Sequence, residues 1–248
     1  MTEPSRHVTR MTIWDVGHIG DEARHKIVDS YPAHERDARA KGIPQLGSGR
    51  VFPLADEAVS VPAFDLPAHW PVIGGIDFGW DHPTAAVKLA WDRDADVAYV
   101  TQAYRVRETT PVIHAAALKP WGSVPWAWPR DGLNDTAAGE NLAKQYRDQG
   151  LEMLPGPAGF EDGGYSVEAG LMGMLDRMRT GRFKAFAHLA DWFDEFRLYH
   201  RKDGRVVKQY DDLLCATRYA LMMLRFARLP VRTRAPRRVR AAWPRLDG

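Results

Sequence analysis

The stretch GGIDFGWDHPT, residues 74–84, places an aspartate at the end of an apolar run and follows it at once with a turn. Residues 72–78 have the composition of a buried strand, and Gly79 lets the backbone turn away from the Asp77 carboxylate. An uncompensated charge at the end of a buried strand is costly. The stretch therefore predicts a central strand that ends in a candidate functional carboxylate.

The pattern around this strand predicts an α/β fold with a mixed sheet. Two further strand-like segments, at residues 85–92 and 97–106, follow across short turns and form an antiparallel meander with the first. Helices are predicted at residues 110–119, 136–149, 167–179 and 211–228, strands at 123–128 and 151–154, and a hairpin at 194–209 that turns at residues 203–204. We therefore expect three antiparallel strands plus parallel strands, flanked by helices.

Composition divides the chain into three parts. Residues 1–68 are polar, with a short helix predicted at 21–31, and prolines at 62, 67 and 71 indicate a stiff linker and a boundary near residues 65–70. Residues 69–230 carry the predicted sheet. Residues 231–248 hold six arginines against one aspartate, a net charge of +5 that leaves −3 on the rest of the chain. This tail is either an arm that binds phosphates or a solvated terminus.

The sequence excludes several classes of protein. No apolar run reaches the roughly 20 residues that a membrane helix needs, the N-terminus has no apolar signal segment, and Cys215 is the only cysteine. We therefore expect a cytoplasmic protein without disulfides or membrane contact. The sequence also lacks the P-loop motif of ATPases, the CxxC and HExxH motifs of zinc sites and the GxSxG motif of serine hydrolases.

Four aspartates lie where predicted strands end or a predicted helix begins. Asp77 ends the first strand, Asp131 follows the fourth strand, and Asp211 and Asp212 open the last helix. If the two strands are neighbours, their ends meet, and a helix packed on the sheet brings its start to the same point. Carboxylates that close together repel unless divalent cations lie among them. Oxygen ligands favour Mg²⁺ or Mn²⁺, and two such ions about 3.5–4 Å apart support phosphodiester hydrolysis.

Each of these aspartates also fits an ordinary structural role. Asp77 suits a turn at a strand end, Asp131 an Asx-turn and Asp211 a helix N-cap, and taken singly each structural role is the more common one. Their joint position at two strand ends and one helix start favours the functional interpretation.

Several short motifs, in order along the chain, resemble one protein family. They are MTIWDVGH at 11–18, YPAHER at 31–36, GIP at 42–44, GSGRVFP at 47–53, GIDFG at 75–79 with HPTA at 82–85, WPRDG at 128–132 and DDLLCATRY at 211–219. In this order they resemble the large terminase subunit of tailed bacteriophages, specifically its C-terminal nuclease domain. The resemblance runs over most of the chain.

The resemblance implies an RNase H-like fold and an endonuclease that cuts concatemeric double-stranded DNA during genome packaging with two Mg²⁺ or Mn²⁺ ions. By position it makes Asp77, Asp131 and Asp211 the catalytic metal ligands. The family often has a second acid four residues after the last ligand, where this sequence has Cys215. Asp212 is an alternative ligand, so the choice between Asp211 and Asp212 stays open.

The resemblance further implies double-stranded DNA, the portal protein and the small terminase subunit as partners, in the bacterial cytoplasm. It makes residues 1–68 the tail of the packaging ATPase domain and a linker, residues 69–230 the nuclease domain and residues 231–248 a basic C-terminal tail. Since the nucleotide-binding part of the ATPase is absent, we expect a fragment, a split gene or a degraded prophage copy. Two other functions stay open: a non-catalytic part that docks on DNA or the portal, and another RNase H-like enzyme such as a resolvase or transposase.

Overall fold

A seven-stranded mixed sheet forms the centre of the computed structural model, which describes residues 11–31, 36, 40, 49–133, 141–202 and 204–230. The strands of the sheet are β1 (Ser60–Val61), β2 (Val72–Asp77), β3 (Thr84–Asp92), β4 (Val97–Val106), β5 (Pro125–Ala127), β6 (Glu152–Met153) and β7 (Phe183–Phe186). Their order across the sheet is β1-β7-β4-β3-β2-β5-β6. A separate hairpin consists of β8 (Arg201–Lys202) and β9 (Arg205–Val206). The predicted mixed α/β sheet is confirmed.

Helices flank the sheet and begin at the residue types that the sequence indicates. Ser166 accepts a hydrogen bond from the amide of Ala169 at the start of one helix, and Pro111 opens another. Among the described residues, no helix is both long and apolar enough to cross a lipid bilayer. The described α-helices are α1 (Asp21–Asp29), α2 (Pro111–Leu118), α3 (Leu142–Asp148), α4 (Val167–Arg179), α5 (Ala190–Leu198) and α6 (Asp212–Met222).

Strand pairing brings the ends of β2 and β5 to the same edge of the sheet. Neighbouring strands β2, β3 and β4 pair antiparallel, whereas β2 and β5 pair parallel, with Gly74 opposite Trp126 and Gly75 opposite Ala127. Because parallel strands point the same way, the chain leaves β2 and β5 on one side of the molecule. The first and fourth predicted strands are thus neighbours, which is the condition under which their ends meet.

Two glycines in β2 let α6 lie directly on the sheet. A Cβ atom on Gly75 would come 1.9 Å from the carbonyl oxygen of Ala216 in α6, and one on Gly74 would come 2.4 Å from the ring of Trp126. Both distances are far shorter than van der Waals contact, so these positions accept only glycine without a shift of their neighbours. The backbone of α6 therefore lies against β2.

Helix α6 is also tied to α5 through buried aromatic and polar groups. Trp192 of α5 is fully buried, and its Nε1 donates a hydrogen bond of 3.0 Å to the hydroxyl of Thr217 in α6. Its ring stacks on that of Phe196 at 5.3 Å. A buried tryptophan combines a large apolar area with one polar atom that needs a partner, so this contact fixes α5 and α6 relative to each other.

Residues 183–209 differ from the predicted pattern. The hairpin predicted at 194–209 is wrong over its first part, because Ala190–Leu198 form α5, which buries Trp192, Phe193 and Phe196. Only the last part of the segment forms the hairpin of β8 and β9. Strand β7, which was not predicted, lies between β1 and β4.

The last predicted helix is shorter than expected. Helix α6 ends at Met222, and the chain continues through a 3-10 turn at Leu224–Phe226 before it pairs with β2 at Arg228. Of the helix predicted at 136–149, residues 136–140 lie outside the described residues, and α3 begins at Leu142.

Part of the segment before residue 69 also belongs to the sheet. Strand β1 pairs parallel with β7, and Phe52 and Val59 are fully buried. The ring of Phe52 stacks on that of Phe196 at 5.9 Å. The sheet therefore draws one strand from residues N-terminal to the proline-rich segment, while the division into ATPase tail, nuclease domain and basic tail stays a prediction.

Candidate active site

A cavity of about 690 Å³ opens where β2 ends, and all four predicted aspartates line it. Asp77 is the last residue of β2, and Asp131 lies in a 3-10 turn that follows β5. Asp211 and Asp212 are the N-cap and the first residue of α6. Three elements that are far apart in the sequence thus bring these side chains to one place, as the positions at strand ends and helix start predicted.

The turn after Asp77 is closed by one threonine. The hydroxyl of Thr84 accepts a hydrogen bond from the Gly79 amide at 3.1 Å and donates one to the Gly79 carbonyl at 2.9 Å. A Cβ atom on Gly79 would come 2.3 Å from the carbonyl oxygen of His82, so the turn has no room for a larger residue. This turn directs His82 to the cavity beside Asp77.

The turn that carries Asp131 is packed against two aromatic rings. A Cβ atom on Gly132 would come 2.7 Å from the rings of Phe78 and Trp128. The indole Nε1 of Trp128 donates a hydrogen bond of 2.8 Å to the carbonyl of Leu154, which anchors the residues after β5. Asp131 itself is exposed toward the cavity while its neighbours are fixed in the core.

The electrostatic environment of Asp77 is strongly unfavourable for its charge. Burial raises the pKa of Asp77 well above its usual value, and the charges of Asp131, Asp212 and Asp211 raise it further. The Arg218 guanidinium lowers the pKa of Asp77 but does not compensate for these effects. The cavity therefore concentrates negative charge, which makes it a favourable place for cations.

The same cavity also raises the pKa values of Asp131 and Asp211, but less than that of Asp77. Burial is the main effect that raises the pKa of each carboxyl group. His82 and Lys208 lower both pKa values through their positive potential. Asp211 is near the Cys215 thiol, which donates a hydrogen bond of 3.5 Å and lowers the pKa of that carboxyl. The cationic groups around the cavity thus offset the acids only in part.

Asp212 differs from the other three because both of its oxygens face basic side chains. Its Oδ2 lies 3.3 Å from Nη2 of Arg105, and its Oδ1 lies 3.3 Å from Nδ1 of His82. Arg105 extends from β4 and also pairs with Glu195, where Nε lies 3.0 Å from Oε1. Of the four aspartates, Asp212 is therefore the one whose negative charge is most directly compensated by basic side chains.

Sequence reasoning missed several residues that line or support this cavity. His82 lies within the stretch that predicted the strand and turn, but its histidine had no ligand spacing to single it out. Glu195 lies in the segment that was predicted as a hairpin, so its position on a helix was hidden. Arg105 alternates with apolar residues on a strand, and nothing in the sequence indicated its partner more than 100 residues away.

The chemistry of the donors fits a hard divalent cation. All four aspartates offer carboxylate oxygens, the ligands that Mg²⁺ and Mn²⁺ prefer. Burial, and after it the charges of three other acids, raise the pKa of Asp77, and Arg218 offsets these effects only in part. Throughout the described ranges, however, no three His, Cys, Asp or Glu side chains are already arranged as a metal-binding group. The cavity therefore has the charge and the donor atoms for a metal ion, while the ligand set is not assembled.

A mixed seven-stranded sheet with three antiparallel strands, further parallel strands and flanking helices is the architecture of an RNase H-like domain. The family model described as the Terminase RNaseH-like domain matches residues 74–224, and the chain belongs to this family. The membership and the fold expected from the motifs are confirmed.

The sequence relatives are large terminase subunits of phages. The chain is 48% identical over 236 residues to the large terminase subunit of Salmonella phage P22, which covers 94% of this chain and 47% of that protein. It is equally similar to the large terminase subunit of Enterobacteria phage LP7, at 48% over 222 residues, with 88% and 47% covered. The chain thus spans about half the length of the curated relatives it matches.

Solved structures agree with this assignment. The nuclease domain of the P22 large terminase superposes with a TM-score of 0.70 and 47% identity, covering 74% of this chain and 96% of that one. The large terminase nuclease of thermophilic phage G20c, solved with bound cobalt, superposes with a TM-score of 0.50 and 18% identity, covering 71% and 97%. The first similarity shows the family, and the second shows the fold.

Proposed function

We propose that this chain contains the metal-dependent endonuclease domain of a phage DNA-packaging terminase, which cuts concatemeric double-stranded DNA. The observation that carries the proposal is the convergence of four aspartates from two strand ends and one helix start on one cavity. In a purely structural role, these acids would not need to share a cavity in which they raise the pKa of Asp77. A nuclease needs such a cluster because it must hold cations next to a phosphodiester.

In this proposal Asp77, Asp131 and an acid of α6 hold two Mg²⁺ or Mn²⁺ ions. Bound there, the ions would activate a water molecule and stabilise the leaving oxygen. Asp77 would hold a cation there, because it is buried and the charges of all three other acids act on it. The cobalt bound to the G20c nuclease belongs to that protein, and at 18% identity it does not identify the ligands here.

Basic side chains around the cavity are suited to hold the DNA backbone. Arg107 and Lys208 line the cavity beside the acids, and no ion pair of the described residues engages either of them. Lysine and arginine bind phosphates through charge, without regard to base sequence. We therefore propose double-stranded DNA as the substrate with low sequence specificity, and the portal protein and small terminase subunit as further partners.

The proposal is tested by nicking of supercoiled plasmid in the presence of Mg²⁺ or Mn²⁺. We expect the wild-type chain to cleave the plasmid and to stop doing so in EDTA. The cleavage rate of Asp77→Asn should fall at least about a hundredfold, because a proposed metal ligand is removed. Asp65→Asn is the matched control, because Asp65 is exposed and lies outside the cavity. A folded wild-type chain that binds DNA but leaves the plasmid intact with both ions would favour the non-catalytic docking role instead.

A further inference from the structure

The two adjacent acids at the start of α6 have different surroundings. Asp212 is buried, and each of its oxygens faces a basic group, Nη2 of Arg105 on one side and Nδ1 of His82 on the other. Asp211 is less buried, and the Cys215 thiol is the hydrogen-bond donor that its carboxylate meets among the described residues. Although Asp211 and Asp212 are adjacent in the sequence, they therefore differ in how readily each can bind a cation.

Arg105 is itself held by a buried carboxylate. Glu195 has 1% of its surface exposed, and its Oε2 accepts hydrogen bonds from the amides of Leu213 at 2.7 Å and Leu214 at 3.3 Å. Its other oxygen, Oε1, lies 3.0 Å from Nε of Arg105. One side chain of α5 thus caps the start of α6 and anchors the arginine that pairs with Asp212.

The anchor makes Arg105 difficult to displace. Burial and the charge of Asp212 raise the pKa of Glu195 to about 8, and Arg105 lowers it. If a cation took the place of Arg105 beside Asp212, Glu195 would lose the basic group that favours its ionised form in a buried position. Removing one partner of a buried ion pair is strongly unfavourable because the other charge stays desolvated. No comparable cost opposes the approach of a cation to Asp211, whose thiol neighbour is neutral.

We propose that Arg105 is a positioning residue of the cleavage site: anchored by Glu195, it holds Asp212 and compensates its charge, so that Asp211 is the acid of α6 that binds the metal ion. The proposal resolves the choice between the two neighbouring acids that the sequence leaves open.

The first test compares Mn²⁺ binding by isothermal titration calorimetry in the whole chain and in two matched variants, Asp211→Asn and Asp212→Asn. We expect Asp211→Asn to weaken binding by about tenfold or more because a ligand is lost, and Asp212→Asn by less than about threefold because Asp212 is not a ligand. Weaker binding in Asp212→Asn than in Asp211→Asn would overturn the proposal. Circular dichroism of both variants checks that α6 is retained.

The second test asks whether Arg105 controls Asp212. In an Arg105→Gln chain, Asp212 is freed, and the added Asp212→Asn substitution is expected to weaken Mn²⁺ binding by about tenfold. In an Arg105→Lys chain, which keeps the cation, the same substitution should have the small effect seen in the wild type. An equal small effect in both backgrounds would contradict the proposal. If Arg105→Gln does not fold, the Arg105→Lys chain and the two single variants decide.

This inference rests on the proposed function, but the two fail in different ways. A wild-type chain that binds Mn²⁺ and nicks plasmid, yet depends more on Asp212 than on Asp211 for binding, would refute only the role of Arg105. A wild-type chain that neither binds Mn²⁺ nor nicks plasmid would refute both. Measuring binding and cleavage on the same preparations separates these results.

Discussion

Asp77 carries a structural cost that its proposed task explains. Its carboxylate ends a strand that is otherwise buried, and three further acids raise its pKa. A residue chosen for stability alone would be neutral there. Asp77 is therefore a position where we expect stability and activity to respond to substitution in opposite directions.

At this residue the pH dependence of stability gives a direct test. The folded-state pKa of Asp77 lies above the unfolded value, so its favourable contribution is complete below about pH 4 and is lost as pH rises through the folded pKa. Asparagine does not titrate. In EDTA, Asp77→Asn is therefore expected to match the wild type near pH 4 and to be more stable at pH 8 by about 1 kcal/mol or more.

Urea unfolding followed by tryptophan fluorescence measures this difference. The comparison between the two chains at each pH cancels other titrating groups, such as His114, whose pKa is lowered by burial. If the variant proved less stable than the wild type at pH 8 without metal, the unfavourable burial of the Asp77 charge and its repulsion by the other acids would be absent.

At the scale of elements, the position of α6 depends on a residue without a side chain. The carbonyl oxygen of Ala216 occupies the space where a Cβ atom of Gly75 would lie, at 1.9 Å. The same helix brings Asp211 and Asp212 to the cavity. The distance between β2 and α6 therefore sets the distance between Asp77 and these acids.

We expect Gly75→Ala to push α6 away from β2. The free energy of unfolding should fall by about 3 kcal/mol or more, because backbone atoms must move to relieve the overlap. Mn²⁺ binding should weaken as well, since the acids of α6 move with the helix. The matched control is Gly173→Ala in α4, where no atom lies within 4 Å of the added Cβ. There alanine should stabilise the helix by about 0.5–1 kcal/mol.

Thermal and urea unfolding of both alanine variants check this prediction. Comparable stability of Gly75→Ala and the wild type, with unchanged Mn²⁺ affinity, would show that α6 does not depend on this contact.

The elements also show how far the sequence could predict the site. The acids at 77, 131, 211 and 212 were found because a charge at the end of an apolar strand or at a helix start is a local pattern. Glu195 and Arg105 were not found, because their roles depend on contacts between α5, β4 and α6, and the local sequence does not indicate such contacts.

For the whole molecule, the uneven charge along the chain predicts how the proposed DNA affinity depends on salt. The described cavity offers a small number of basic groups, while residues 231–248 hold six arginines and lie outside the described residues. A chain that neutralises phosphates releases counterions, so its DNA affinity falls with salt in proportion to the phosphates contacted.

Deleting residues 231–248 is therefore expected to weaken binding to a fluorescently labelled duplex and to lower the slope of log affinity against log salt. The reduction in slope is at most about 5, if all six arginines contact phosphates. Anisotropy titrations at several salt concentrations measure it, and a full-length chain with the six arginines replaced by glutamine is the control. An unchanged slope in the shortened chain would show that the tail is a solvated terminus.

The placement of the last two acids has a consequence for the order of synthesis. A ribosome makes Asp77 and Asp131 long before Asp211, and α6 is the last described α-helix of the chain. A nascent chain that ends before this helix has neither its third carboxylate nor the element that covers β2. It cannot bring the four carboxylates together, so the cavity forms only after Asp212–Met222 has been made and has folded onto β2.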